Sequence, residues 1–507
     1  MIDFTPLMRK PMRDRLEEQV RYIHHPDSVQ QEQLVWLIEH AALTEFGRRY
    51  DFSSVRTYRH FAHTVPLHRY EDLREPIMRM VRGEADVLWR GTTRNFAQSS
   101  GTSGGKSKYI PITADSFRRN HYRGSADVVA HYLNLNPKSR IMSGKGLILG
   151  GSFANELNLA PGVKVGDLSA NLIRNINPLV NLFRVPSKKI ALMEDWKQKL
   201  PAIIRASATE NVTNLSGVPS WFLAVLRGVM EYRGVRCIHD VWPNLEVFFH
   251  GGIAFEPYRR QYESFCDMSR MHFLDTYNAS EGFFAVQSDW STTAMLLLLD
   301  VGIFYEFIPV EHCDEDQPTA IPAWEVEPGR TYELVITACN GLWRYRIGDT
   351  VKVHSVQPLK ITIAGRTQSF INAFGEELMV HNAEFAVQQA AEATAAAVLN
   401  YTAAPVFAAD GQKAHHQWIF EFEREPSDMA LFVRVLDDKL KQVNSDYEAK
   451  RAGDIFLAPP QVVTARRGVF DDWLASTGKL GGQRKVPRLA NNRLIAEAIL
   501  ALNREKN

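Results

Sequence analysis

The chain has 507 residues, 45% hydrophobic and 23% charged, with a formal net charge of +1. That length buries two or three domain cores, and the composition is that of an ordinary soluble globular protein. The near-balanced charge removes the electrostatic reason to expect a nucleic-acid or membrane-surface partner.

The first hundred residues read as helical. Ser28 and Gln31 form a capping box ahead of Leu34, Leu37, Ile38, Ala41 and Ala42 at helical spacing, and Gly47 marks a stop. Another helix starts near Tyr70, with Pro76 in its first turns. His24 and His25 form an isolated surface pair without an assigned role.

The stretch Ser99-Ser100-Gly101-Thr102-Ser103-Gly104-Gly105-Lys106-Ser107-Lys108 follows. Glycines let successive N–H groups converge on one concavity, hydroxyls add donors and lysines add positive charge, a combination suited to phosphate. A flexible glycine-serine linker is the plain alternative, but linkers rarely carry two lysines and run straight into an apolar segment. A Walker loop, G-x-x-x-x-G-K-[ST], matches at Gly105-Lys106-Ser107, yet its first glycine falls on Ser100. It must also open a helix, whereas Tyr109-Ile110-Pro111-Ile112-Thr113 is β-branched and interrupted by proline. A Walker loop is thus disfavoured, and a nucleotide-phosphate loop of another kind stays open.

Residues 120–180 carry little pattern beyond a glycine-rich strand or hinge over 143–152. From Asp195 the rhythm is regular. A helix over Trp196–Thr209 precedes a strand over Val212–Leu215, then a helix over Ser220–Tyr232 with Pro219 at its start. A strand over Leu245–Phe249, a helix over Pro257–Phe265 and a strand over Met271–Tyr277 follow. This alternation predicts a parallel sheet with helices on its faces. Its strands end in Ser216-Gly217, Gly251-Gly252 and Asn278-Ala279-Ser280-Glu281-Gly282, which should line one cleft beyond the carboxyl ends.

After Trp290 the pattern turns to hairpins. Ala294–Leu299 and Ile303–Pro309 flank Asp300-Val301-Gly302; Tyr332–Ala338 and Leu342–Arg346 flank Asn340-Gly341. A strand pair over Thr350–His354 and Lys360–Ile363 leads to a domain boundary near Arg366–Phe370. The remainder is α+β: a long helix from about His381, a hairpin around Asp410-Gly411, a helix near Ser427 and a last helix from Leu489. No C-x-x-C or zinc spacing joins Cys237, Cys266, Cys313 and Cys339, which read as reduced, mostly buried thiols of a cytoplasmic protein. The N-terminus lacks signal-peptide design, and the most apolar run, Ala294–Leu299, is far too short to span a bilayer.

Separately these motifs are weak, but their order is specific. The Ser/Thr/Gly loop, then Tyr277-Asn278-Ala279-Ser280-Glu281, then Tyr345-Arg346-Ile347-Gly348-Asp349, then Gly365-Arg366, then a glycine-bracketed lysine resembles the adenylate-forming superfamily of acyl-CoA synthetases, adenylation domains and luciferases. Ser99–Pro111, the His-Gly-Gly-Ile-Ala-Phe-Glu-Pro-Tyr segment (250–258) and Gly-Gly-Gln-Arg-Lys-Val-Pro-Arg (481–488) resemble the auxin-responsive (Gretchen Hagen) acyl-acid amido synthetases, in their bacterial form.

The resemblance implies an α/β fold with a large N-terminal domain (1–366) and a smaller, mobile α+β C-terminal domain (367–507). It implies a ligase that uses ATP and Mg²⁺ to convert a small carboxylic acid to an acyl-adenylate, then passes the acyl group to an amino acid amine. Ser99, Ser100, Gly101 and Thr102 would hold the ATP phosphates, and Gly251 and Gly252 would let the adenine approach, with Tyr277, Asn278 and Ser280 completing that pocket. Glu281 would bind Mg²⁺, Asp349 would accept from the ribose hydroxyls, and Arg366 would lie nearby on ribose or phosphate. Lys106 and Lys108 would only attract phosphate. Lys479, in Thr477-Gly478-Lys479, imitates the lysine of the wider superfamily. The Pro-Arg pair that follows the lysine in the amido synthetases selects Lys485 as catalytic. The hinge sequence departs from Gly-Arg-x-Asp, reading Gly365-Arg366-Thr367-Gln368. An acyl-CoA ligase, or an enzyme delivering the acyl group to a carrier thiol, would share every first-step residue.

Overall fold

The computed structural model describes residues 2–99, 108–153, 157, 159–253, 255–313, 315, 317–366, 370–408, 413–454, 456–476 and 486–505. It divides into two units, one holding Met1–Ser99 with Lys108–Thr367 and the other Gln368–Asn507.

The larger unit opens with helices. α1 (Thr5–Gln19) and α2 (Pro26–Ala41) precede the short α3 (Glu45–Arg49) and α4 (Tyr70–Val81). α2 starts at Pro26, earlier than the Ser28 capping box suggested, because proline's missing N–H and fixed φ suit a first turn. Gly47 lies inside α3 and does not end α2. Thr44 caps α3 by accepting from Gly47 N at 2.9 Å, and a Cβ at Gly47 would stand 2.0 Å from the Ala41 carbonyl oxygen. Its glycine answers close packing between two helices.

The predicted alternation is present: α5 (Tyr122–Leu135), β1 (Lys145–Ile148), β2 (Arg184–Val185), α6 (Trp196–Ser207), β3 (Val212–Gly217), α7 (Pro219–Arg233), β4 (Val247–Gly251), α8 (Glu256–Phe265) and β5 (His272–Ala279). Strands β2-β1-β3-β4-β5 lie side by side and parallel. β6 (Gly282–Gln287) turns back antiparallel from β5. β7 (Met295–Leu297), β8 (Ile303–Pro309), β9 (Ile321–Pro322), β10 (Thr331–Ala338), β11 (Leu342–Val356) and β12 (Leu359–Arg366) continue the same sheet. The order among the described residues is β9-β8-β10-β11-β12-β7-β6-β5-β4-β3-β1-β2. The parallel half and the hairpin half are thus one sheet.

One predicted hairpin does not form. β7 pairs with β6 and β12, and β8 pairs with β9 and β10. The intervening turn is pulled apart by helix side chains. Gln30, fully buried on α2, donates to Leu299 O (2.7 Å) and Ile303 O (2.9 Å) and accepts from Tyr305 N (2.7 Å). Asp300 accepts from Arg15 at 2.6 Å and from the Tyr22 hydroxyl. Backbone groups on both flanks of the turn are satisfied by α2 instead, Gln33 Oε1 accepting from Gly302 N at 3.0 Å. The Asn340-Gly341 hairpin of β10 and β11 forms as expected.

A separate three-stranded sheet joins Asn95–Ser99, Lys108–Ile112 and Lys164–Gly166. Lys108–Ile112 is a strand, as its β-branched, proline-interrupted sequence required, and not the helix of a Walker loop.

In the smaller unit α9 (Val380–Ala393) precedes the hairpin of β13 (Ala397–Val406) and β14 (His415–Arg424). α10 (Met429–Val443), β15 (Gln461–Ala465), α11 (Val469–Ser476) and α12 (Leu494–Glu505) complete it, with β15 parallel to β14. The last helix starts at Leu494, five residues later than expected, because Leu489 bridges to Ala403 on β13 in an extended segment.

Candidate active site

Parallel pairing sets the register of the strand ends. Gly217 stands opposite His250, and Gly251 opposite Thr276, so β3, β4 and β5 finish side by side. A Cβ on Gly251 would lie 2.4 Å from the Thr276 carbonyl oxygen, and Gly252 has φ +81. Both positions therefore need glycine: one for close strand packing, the other for left-handed backbone. Asn278 is exposed and Ser280 half-buried beside them. His250 is buried and stacks on Phe255 with ring centroids 4.2 Å apart. Its Nδ1 lies 3.0 Å from Asp275 Oδ1 without hydrogen-bond geometry.

Glu281 sits in the two-residue turn from β5 to β6 and is 8% exposed. Two asparagines brace it. Asn340 Nδ2, in the β10–β11 turn, donates to Glu281 O at 2.9 Å. Asn120, buried just before α5, accepts from Phe283 N (2.7 Å) and donates to Phe283 O (3.0 Å) and Val301 O (3.1 Å). Sequence reasoning missed Asn120 entirely and read Asn340 only as a turn former. An asparagine amide is a donor and an acceptor at once, so it serves as a bridge between segments distant in sequence.

Asp349 and Arg366 are opposite one another on β11 and β12. The Tyr277 hydroxyl, reaching from β5, donates to Asp349 Oδ2 at 2.7 Å, and both residues are buried. Tyr277, Asp349 and the Arg366 backbone are thereby brought together from three strands. Arg346 of the same motif is used otherwise: it forms a buried ion pair with Glu333 at 2.5 Å, parallel to that of Arg344 with Glu306 at 2.8 Å. Both pairs sit inside the sheet and build it.

Ser99 ends its strand directly opposite Lys108, so the two strands bracket the phosphate-type loop. Lys108 Nζ lies over the Tyr70 ring at 5.8 Å. Ser100, Gly101, Thr102 and Lys106 lie outside the described residues, as do Lys479 and Lys485.

A further loop, Gly150–Ser152, follows β1, whose Ile148 pairs with Ser216. The buried Lys199 Nζ donates to Gly150 O (2.5 Å) and Gly151 O (3.1 Å), while Asp167 Oδ2 accepts from Ser152 N (2.6 Å). Burial pulls the Lys199 pKa down to about 8, with Asp167 opposing that shift. No sequence signal marked this lysine, since a buried lysine is indistinguishable in pattern from a surface one.

Residues 15–271 match the GH3 family N-terminal domain, 296–366 its central domain and 381–494 its C-terminal domain. The chain belongs to the GH3 family. Indole-3-acetic acid-amido synthetase GH3.4 of Arabidopsis thaliana is 24% identical, the match spanning 92% of this GH3 chain and 89% of that relative. The structure of AtGH3.15 acyl acid amido synthetase in complex with 2,4-DB superposes with a TM-score of 0.62 at 19% identity, covering 99% of this chain and 97% of the other. A 2-hydroxyisobutyryl-CoA ligase superposes with a TM-score of 0.58 at 14% identity, covering 96% and 94%. The GH3 protein therefore has the fold common to amido synthetases and adenylate-forming ligases.

Proposed function

We propose that this GH3 protein is an ATP-dependent acyl-acid amido synthetase. In the first step a carboxylate oxygen of the acid bonds to the α-phosphorus of ATP and the bond to the β-phosphate breaks, releasing pyrophosphate. In the second the amine nitrogen of an amino acid bonds to the acyl carbon, the bond to AMP breaks, and the amine proton passes to solvent. The observation that carries this reading is the set of strand ends where Gly251, Gly252, Glu281 and the Tyr277–Asp349 pair converge in a GH3 chain.

On this reading the Gly251–Gly252 backbone takes the adenine face, with Tyr277, Asn278 and Ser280 around it. Asp349 accepts from the ribose hydroxyls, and Arg366 serves ribose or phosphate. Ser99, Ser100, Gly101 and Thr102 grip the phosphates. Among the described residues no three His, Cys, Asp or Glu side chains form a metal cage. Mg²⁺ suits a site of another kind, because it takes one or two carboxylates and completes its shell with substrate phosphate and water. Glu281 is the carboxylate that would hold it, and the bound ion would neutralise phosphate charge. Lys485 acts in the first step alone, donating to the oxygens that gain charge at the α-phosphorus. No protein nucleophile is required; catalysis is positioning and charge stabilisation. Domain boundaries at 1–366 and 367–507 separate the ATP and acyl site from the lysine-bearing segment. No helix among the described residues is long and apolar enough to cross a membrane, and the four cysteines are unbonded, which suits a reducing, cytoplasmic setting.

The test is ATP–pyrophosphate exchange over indole-3-acetic, jasmonic, benzoic and decanoic acids. Mass spectrometry with mixed amino acids or CoA then follows for the acids that support exchange. Acid-dependent exchange and an amide product are expected. A thioester with CoA and no amide would move the protein to the acyl-CoA ligases, and no exchange with any acid would count against adenylation itself.

A further inference from the structure

Within the smaller unit, the segment that follows Lys485 is bolted to β13. Val486 is buried in a core with Ala404, Ile419, Phe470, Ala496 and Ile499. Thr402 Oγ1 donates to Pro487 O at 2.7 Å, Ala403 N to Arg488 O at 2.9 Å, and Ala490 N to Ala403 O at 3.0 Å. Residues 487–490 thus run along β13 as an added parallel edge. Asn491 Oδ1 accepts from Asn372 N at 2.6 Å, tying the same segment to the start of the unit.

The Arg488 side chain locks this arrangement. Its guanidinium lies over the Tyr401 ring at 4.7 Å, and Nη1 donates to Asn400 Oδ1 (3.0 Å) and Tyr401 O (3.3 Å). Tyr401 is buried and stacks on Trp418 with centroids 5.9 Å apart. Among the described residues no carboxylate pairs with Arg488. Its cation is held on an aromatic face and neutral oxygens, a geometry that a planar, forked guanidinium satisfies in full and an ammonium only in part.

Consecutive Cα atoms are ~3.8 Å apart, so Lys485 is one short step from a buried anchor, whereas Lys479 is separated from it by roughly 24 Å of chain at full extension. An anchor fixes what is next to it and not what is seven residues away. We propose that Arg488, braced by Tyr401 and Asn400, is a positioning residue for Lys485 in acyl-adenylate formation. This rests on the reading of Lys485 as the catalytic lysine. The clamp serves the first half-reaction, the step to which that reading assigns Lys485.

The experiment compares both half-reactions in the full-length wild type, Lys485→Ala, Arg488→Ala, Arg488→Lys and Asn400→Ala. Exchange is measured with the acid of the four above that wild type uses fastest. Amide formation is measured from its chemically made acyl-adenylate. A misplacement of about 1 Å costs ~10²-fold, so Arg488→Ala should lose about that factor in exchange kcat with the KM for acid unchanged. Amide formation from supplied adenylate should hold at the wild-type rate, as in Lys485→Ala. Arg488→Lys should recover part of the exchange, and Asn400→Ala should show a smaller loss of the same kind. Should Arg488→Ala lose its native circular dichroism, these two milder variants decide. Unaltered exchange, or equal loss in both half-reactions, overturns the clamp. Exchange intact in Lys485→Ala overturns the lysine assignment and the clamp with it, whereas no exchange in wild type overturns the enzymatic reading itself.

Discussion

At the scale of single residues, the Tyr277 hydroxyl is the clearest case of a group with a partner that its motif does not announce. Tyr277 belongs to the motif that suggests an adenine pocket, yet its side chain is buried and its hydroxyl donates to Asp349 at 2.7 Å. A hydrogen bond to a carboxylate contributes ~1.5–3 kcal/mol. Tyr277→Phe keeps the ring and removes that donor, leaving Asp349 less firmly aimed. With Asp349 on the ribose, KM for ATP should rise ~10-fold while KM for the acid stays put, which initial-rate exchange assays with either substrate varied will read. A rise in both would mean that the tyrosine only supports the sheet. The Tyr-Arg-x-Gly-Asp motif singles out Asp349 but not its brace, because Tyr277 and Asp349 are 72 positions apart.

At the scale of elements, periodicity and turn residues revealed most strands, and the parallel pairing of β3, β4 and β5 followed from their alternation with helices. The missing hairpin between β7 and β8 shows where such reasoning stops. Asp300-Val301-Gly302 has good turn chemistry, and the flanking runs are apolar, so the local signal is sound. Tertiary contacts override it: Gln30 bonds Leu299 O, Ile303 O and Tyr305 N, groups from both flanks of the turn. No pattern within 294–309 encodes a glutamine some 270 residues upstream. Gln30→Leu removes all three bonds inside the core, and at ~1–3 kcal/mol for each buried group left unpaired the loss should total on the order of 3 kcal/mol after relaxation. Urea unfolding should show a lower midpoint with an unchanged slope. A variant as stable as wild type would mean that the splayed turn is held by its other contacts, those of Arg15, Tyr22, Gln33 and Asn120. Asn120 and Asn340 were hidden for the same reason, each acting through one side chain on backbone far along the chain.

At the scale of the whole molecule, family and fold were legible because motifs spread over most of the chain keep their order, whereas the response of stability to pH comes from burial that no motif encodes. His121 lies directly before α5 and His131 on it, and burial pushes both pKa values down to about 4. His131 Nε2 also lies 2.9 Å from Gln19 Oε1, whose amide donates to Asp127, itself bonded to Arg15 at 2.7 Å. A neutral ring donating to Gln19 fits this chain; a charged one must bear the same burial beside the Arg15 cation. In the unfolded chain both histidines titrate near their ordinary value of 6.5. As pH falls from 6.5 towards 4, the unfolded state therefore binds protons that the folded state refuses, and stability drops. Each pKa unit corresponds to ~1.4 kcal/mol, so the loss amounts to ~3 kcal/mol per histidine by the time the folded state titrates. Calorimetric melting at steps from pH 7 to pH 4 should show Tm declining across this window, before most carboxylates protonate. His131→Asn replaces the titrating ring with a neutral amide, so its Tm should start lower at pH 7 but decline less steeply. Parallel slopes in the two proteins would clear His131 and leave His121 as the group that titrates across this window.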